Sequence, residues 1–213
     1  MAYDLQEQES IDQMKAWWDK WGTPVTAAVC VVCLGFAAFN GWKWYERNQA
    51  AKAMVAYSQL QAAVLAQDAK NITSLSSGLM ENYSGTIYAP MAALAAAQSA
   101  LANGDFKTAE YRLNWVIEKG GHPEYDTLAR VRLAGVYFDE GRLDEGLKVL
   151  AAAKPEPRQK PLVLDREADI YAAKGDAAAA RERWQQILDG AAGYPNDPIL
   201  RIVEYKLGSL PTA

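Results

Sequence analysis

The chain has 213 residues, 50% of them hydrophobic and 23% charged, with a formal net charge of −4, one histidine and two cysteines. Acidic and basic residues are mixed along its length, which leaves no basic stripe for nucleic acid. A lone histidine without other ligand types beside it does not make a metal site.

Residues 1–21 are polar but carry Ile11, Met14, Trp17, Trp18 and Trp21 at steps of about three to four. That spacing predicts a short amphipathic helix lying among lipid headgroups with its tryptophans down. A docking helix for a membrane partner is the competing reading.

Residues 22–42 contain no charged side chain. An apolar helix of about twenty residues covers the hydrocarbon core of a bilayer. Trp17, Trp18 and Trp21 precede the run; Trp42, Trp44 and Tyr45 follow it. Aromatic rings of this kind collect at both membrane interfaces, so the run is predicted to be an uncleaved transmembrane helix. A cleaved signal peptide would begin with positive charge and end in a small-x-small site. Here the start carries Asp4, Glu7, Glu9 and Asp12, and the exit is Gly41-Trp42-Lys43-Trp44-Tyr45. A buried core helix explains the length but not the tryptophans at both ends. Lys15 and Lys20 on one side nearly balance Lys43, Arg47 and Lys52 on the other. The positive-inside rule therefore does not choose an orientation. Cys30 and Cys33 both fall inside this run. A redox pair needs polar, partly exposed surroundings, so they read as small apolar helix residues.

Residues 43–213 are rich in helix formers, and no alternating β-branched run competes. A helix is expected from about Glu46 to Asp68, with Met54, Tyr57, Leu60, Val64 and Leu65 as its apolar stripe. Nothing between it and Trp44 breaks the chain. Asn71 and Ser74 are the expected caps of a second helix through Met80, and Ser84-Gly85-Thr86 is a turn.

Three similar turns follow at Gly104, Gly141 and Gly175, 37 and 34 residues apart. The second spacing is the tetratricopeptide period. Each glycine is expected in the left-handed conformation that ends a helix, with a small residue five positions later where the next helix packs closely. Seven residues before each glycine stand Ala97, Ala134 and Ala168; four before, Ala100, Tyr137 and Tyr171; nine after, Leu113, Leu150 and Trp184. A plain helical bundle with glycine-capped turns is the bland alternative. The segment from Pro195 to Ala213 offers a last helix with Ile199, Leu200, Ile202, Val203 and Leu207. A repeat stack needs such a cap over its final apolar face; the helix could also swap onto a partner's groove.

His122 lies in a Gly-Gly-His-Pro turn and reads as a solvated loop residue. Asp165, Glu167 and Asp169 have ordinary helix-surface spacing. No P-loop, dinucleotide-binding glycine pattern or nucleophile elbow is present. No cofactor is expected, and a helical repeat without such a signature reads as a binding scaffold rather than an enzyme.

The chain resembles the ancillary subunit of the bacterial Sec (SecYEG) translocon, a family of single-pass inner-membrane proteins with a tetratricopeptide-like domain. The resemblance starts at Gln6 and runs through Asp12-Gln13, the stretch from Lys15 to Gly22, and Gly41 to Tyr45. It continues through Tyr57, Tyr88-Ala89, Arg130 to Ala134, Asp165 to Ala168, Lys174-Gly175-Asp176 and Trp184. It implies an all-α chain: a cytoplasmic segment 1–21, a transmembrane helix 22–42, and a periplasmic tetratricopeptide-like domain 43–213. It further implies contact with the Sec translocon, with a membrane-anchored periplasmic chaperone of the prolyl-isomerase type, and with secretory polypeptides. A membrane-tethered regulator that sequesters a signalling protein is the alternative function.

In tetratricopeptide arrays the first helix of each pair lines the inner face. Counted from the glycines, that face is expected to present Gln98, Val131, Phe138, Asp165 and Asp169 to a partner. Phe138 follows Tyr137, and the two rings point to different sides of one helix. With Tyr137 packed between helices, Phe138 is left toward the groove, unless a neighbouring helix or the C-terminal helix covers it.

Overall fold

The computed structural model describes residues 2–190, 193 and 196–210, with side chains from Gln8 onward. Pro195 and the last three residues, where the sequence bounds the final segment, lie outside the described residues. The chain divides into two compact units, Met1–Gln49 and Ala50–Ala213.

The first unit is helical. Helix α1 runs from Ala2 to Leu65, so the elements expected over residues 2–21 and 22–42 and the one expected from Glu46 are one helix, which ends three residues before Asp68. Pro24 lies inside it, where a proline removes one backbone donor. Nearby, the Thr26 hydroxyl donates to the Gly22 carbonyl at 2.7 Å. Among the described residues this is the one helix long and apolar enough to cross a membrane. Val31, Leu34 and Phe36 are each about 70% exposed. A core helix would bury those side chains, so that reading does not describe this helix. Cys30 and Cys33 are free and exposed on the same surface.

Among the described residues the second unit is built from the end of α1 and eight further helices: α2 (Ala69–Asn82), α3 (Tyr88–Ala102), α4 (Phe106–Lys119), α5 (Pro123–Asp139), α6 (Leu143–Ala151), α7 (Lys160–Ala173), α8 (Ala177–Asp189) and α9 (Pro198–Ser209). Helices α3/α4, α5/α6 and α7/α8 pair as antiparallel neighbours, and α5 also packs on α3 and α7. No strand occurs among the described residues.

The turns explain the pairing. Gly104, Gly141 and Gly175 have φ of +73°, +75° and +81°, the left-handed conformation expected of them. In the first and third turns the next residue is an aspartate. Asp105 accepts from the Thr108 amide and Asp176 from the Ala179 amide, each at 3.0 Å, capping the second helix of the pair. Arg142 takes that place in the middle turn without a side-chain cap. It pairs instead with Glu110, Glu140 and Glu145.

The register then closes the core. Ala97, Ala134 and Ala168 are buried, as are Ala109 and Ala180 five positions past their glycines. Gly146 holds the equivalent place in the middle pair, where a Cβ would stand 2.9 Å from the Ile170 Cδ1. Leu113, Leu150 and Trp184 are buried in three successive apolar clusters. Each such side chain contributes about 1.5–3 kcal/mol by leaving water.

Three local expectations are corrected. In α1 the buried stripe is Ala53, Leu60 and Ala63 with Tyr57 beside it, whereas Met54, Val64 and Leu65 are exposed. Ala53, Leu60 and Ala63 lie on the side of α1 that shares an apolar cluster with Ile72, Leu79, Ala92 and Ala96, and that placement rather than side-chain size decides burial. The cap of α2 is Asp68, which accepts from the Asn71 amide at 3.1 Å, not Asn71 or Ser74. His122 immediately precedes α5, lies 3.3 Å from a Glu124 carboxylate oxygen and meets the Tyr125 ring edge-on, so it is not merely solvated.

Candidate partner-binding face of the repeats

A groove of about 730 Å³ opens in the second unit between the end of α1, α3 and the start of α5. Its apolar walls include Tyr57, Met91, Leu94 and Tyr125. Burial pushes the Tyr125 phenol above its ordinary value, so it is neutral and presents a polar tip on an apolar ring.

The predicted face residues fall into three groups. Gln98 lies in this groove and is exposed. Val131 and Phe138 are partly buried against the cluster of Ala134, Leu150, Val163 and Ile170. A neighbouring helix thus covers Phe138, the second of the two packings foreseen for it. Tyr137 belongs to the preceding cluster. Both rings of the Tyr137-Phe138 pair therefore pack in the core, because α5 is sandwiched between helices on two sides.

Asp165 and Asp169 form the third group, on α7. Lys206 of α9 donates to Oδ1 of each at 2.7 Å, and the Trp184 indole donates to the same Asp165 oxygen at 2.9 Å. The Arg166 guanidinium lies 3.9 Å from Asp169. These carboxylates are held within the chain. They do not share the groove of Gln98.

Arg132 was not among the expected residues. It is the charged side chain lining the groove. Burial lowers its pKa from the ordinary arginine value, although it stays charged. Its polar partner among the described residues is the Leu94 carbonyl at a long 3.4 Å. The signal was available in the register: nine residues before each glycine stand Ala95, Arg132 and Arg166, and six before stand Gln98, Gly135 and Asp169. At Gly135 a Cβ would sit 3.6 Å from the Arg166 guanidinium carbon, so these two positions adjoin from one repeat to the next.

Among the described residues no three His, Cys, Asp or Glu side chains gather as a metal site. Among the described residues the arrangement offers a groove with apolar walls, amide and hydroxyl groups, and a cation with no acid lining the groove beside it.

Residues 15–212 match the family model described as a tetratricopeptide repeat-like domain. An ancillary SecYEG translocon subunit of Haemophilus influenzae is 30% identical over 190 residues, covering 87% of this chain and 90% of that protein. The chain belongs to the ancillary SecYEG translocon subunit family. A member from Aggregatibacter actinomycetemcomitans is 27% identical over 99% of this chain and 100% of its own length. Another from Neisseria gonorrhoeae is 28% identical over the same shares. No solved structure matches the chain. The resemblance found in the sequence is thus a family relationship spanning nearly the whole ancillary subunit.

Proposed function

We propose that this protein is a non-enzymatic, membrane-anchored scaffold at the Sec translocon. Residues 1–21 lie in the cytoplasm, 22–42 cross the inner membrane, and 43–213 form the periplasmic repeat domain. There it binds a membrane-anchored chaperone of the prolyl-isomerase type and secretory polypeptides as they emerge. The observation that carries this reading is the near full-length similarity to proteins named ancillary SecYEG translocon subunits. The long apolar N-terminal helix supports the anchor.

Partner contacts belong on the inner face in this reading, with Gln98, Val131, Phe138, Asp165 and Asp169 as its residues. The exposure of Gln98 in a groove supports that choice. Phe138 and Val131 would act by supporting the face, and a partner reaching Asp165 or Asp169 would first meet Lys206 of α9.

Purification from mildly solubilised membranes tests the proposal. Translocon and chaperone should accompany the chain. A signalling protein recovered without them would favour the tethered regulator. Protease added to spheroplasts should digest the chain beyond Arg47 and spare the N-terminal peptide; protected repeats would reverse the orientation.

A further inference from the structure

We propose that the groove between α1, α3 and α5 binds an apolar polypeptide segment through one acidic side chain, whose carboxylate is received by Arg132. This rests on the reading of the repeats as a polypeptide-binding scaffold and specifies what that scaffold recognises.

Charge complementarity carries the inference. Arg132 is half-buried, and no carboxylate lines the groove with it. Three other guanidiniums in this domain have acids at hand: Arg130 has Asp126 at 2.8 Å, Arg142 has Glu110 at 3.0 Å, and Arg183 has Glu167 at 2.9 Å. Arg132 instead has one long bond to the Leu94 carbonyl. A guanidinium presents five N–H donors in a planar fork that fits a carboxylate with two parallel bonds. Partial desolvation has already been met in the free chain, so an incoming carboxylate gains more from the charge than it would in water.

The walls specify the rest of the ligand. Tyr57, Leu94 and Tyr125 offer apolar surface, and Met91 adds an adaptable side chain. Gln98 and Ser99 supply polar groups that can meet a ligand backbone. A lone inorganic anion would leave those walls in water, and a purely apolar segment would bury Arg132 without a counter-charge, at a desolvation cost. An apolar segment with one carboxylate satisfies both.

The test uses the full chain in lipid nanodiscs. The probe is a fluorescein-labelled, C-terminally amidated peptide of leucine, alanine, serine and phenylalanine with one central aspartate. Its asparagine twin and an asparagine twin with a free C-terminal carboxylate are measured beside it by anisotropy. The aspartate peptide should bind wild type roughly ten-fold or more tighter than the amidated asparagine twin, as a charge-assisted bond predicts. Arg132→Gln should remove that ratio, and Arg132→Lys should retain part of it. If Arg132→Gln proves unfolded by circular dichroism, the wild-type ratio must still shrink as salt is raised. Equal binding of the twins, a ratio that survives Arg132→Gln, a ratio independent of salt, no binding of any peptide, or preference for the free terminus would each overturn the proposal. Translocon and chaperone recovery from membranes is a separate measurement, and its failure leaves these ratios unchanged.

Discussion

Lys206 donates to Asp165 at 2.7 Å, joining α9 to α7 across 41 residues of sequence. The same ammonium reaches Asp169 and lies 5.7 Å from the centre of the Trp184 ring. Around this contact Val203 is fully buried, with Ile199, Leu200 and Leu207 packed beside it. Helix α9 thus covers the last repeat by apolar burial and is oriented by one cation shared between two acids.

Lys206→Met keeps the aliphatic stem but removes the ammonium. It should cost about 1–3 kcal/mol, the range for stripping a charged partner from a partly buried hydrogen bond. Hydrogen exchange should accelerate in α9 while α3 and α4 stay protected. Unchanged exchange in α9 would mean that Val203 and its neighbours hold the helix alone.

Acid stability should depend on two carboxylates with opposite sign. Burial raises the Glu110 carboxyl, but hydrogen bonds from Arg142 and Tyr137 outweigh it and leave the group below the ordinary 4.5. Its contribution is therefore present above that value and is lost as pH falls through the lower folded value. Asp169 is raised above the ordinary 3.8 by burial, against the hydrogen bond from Lys206. Its protonation favours the folded chain as pH falls through that raised value toward 3.8. Melting temperature followed against pH should fall less steeply in acid for Glu110→Gln and more steeply for Asp169→Asn.

Phe138→Ala should lower the melting temperature by several degrees, since removing a partly buried ring costs up to about 3 kcal/mol in cavity and transfer terms. Recovery of partners should be preserved once the protein is assayed below its transition. Lost recovery at unchanged melting would instead make Phe138 a contact of the partner.

Gly175 has open space around it but a φ of +81°. Gly175→Val should cost about 1 kcal/mol or more through the backbone alone. Gly175→Asn, which tolerates that conformation better, should cost less. Equal melting of both variants and wild type would count against a left-handed turn.

Arg112 is 5% exposed, donates to Ser77 at 2.8 Å and to the Met80 sulfur at 2.9 Å, and leaves its Nε without a partner among the described residues. A buried cation of this kind is costly to desolvate. Arg112→Met should melt at or above the wild-type temperature in chemical or thermal denaturation, while Arg112→Ala, which leaves a cavity, should melt below it.

What the sequence determined by itself was local and periodic. An uncharged run bounded by tryptophans specifies an apolar helix long enough for a bilayer, because composition alone sets the cost of placing a side chain in lipid. Gly104, Gly141 and Gly175 specify three helix ends, because a left-handed φ penalises every side chain with a Cβ. The alanines and large apolar residues counted from them then specify the repeat core. The tertiary structure decided what depends on neighbours remote in sequence. Leu65 and Met54 look as apolar as Leu60, but only the Ala53, Leu60 and Ala63 side of α1 meets another helix. Phe138 is covered because α5 has packed surfaces on two sides. Asp165 and Asp169 read as ordinary surface acids until α9 folds back to place Lys206 between them. Arg132 has no acid three or four positions away, unlike Arg130 and Arg142, but only packing shows that it lines a groove and that no carboxylate lines it too. Backbone propensity acts through adjacent residues, whereas burial and charge pairing act through whatever the fold brings near.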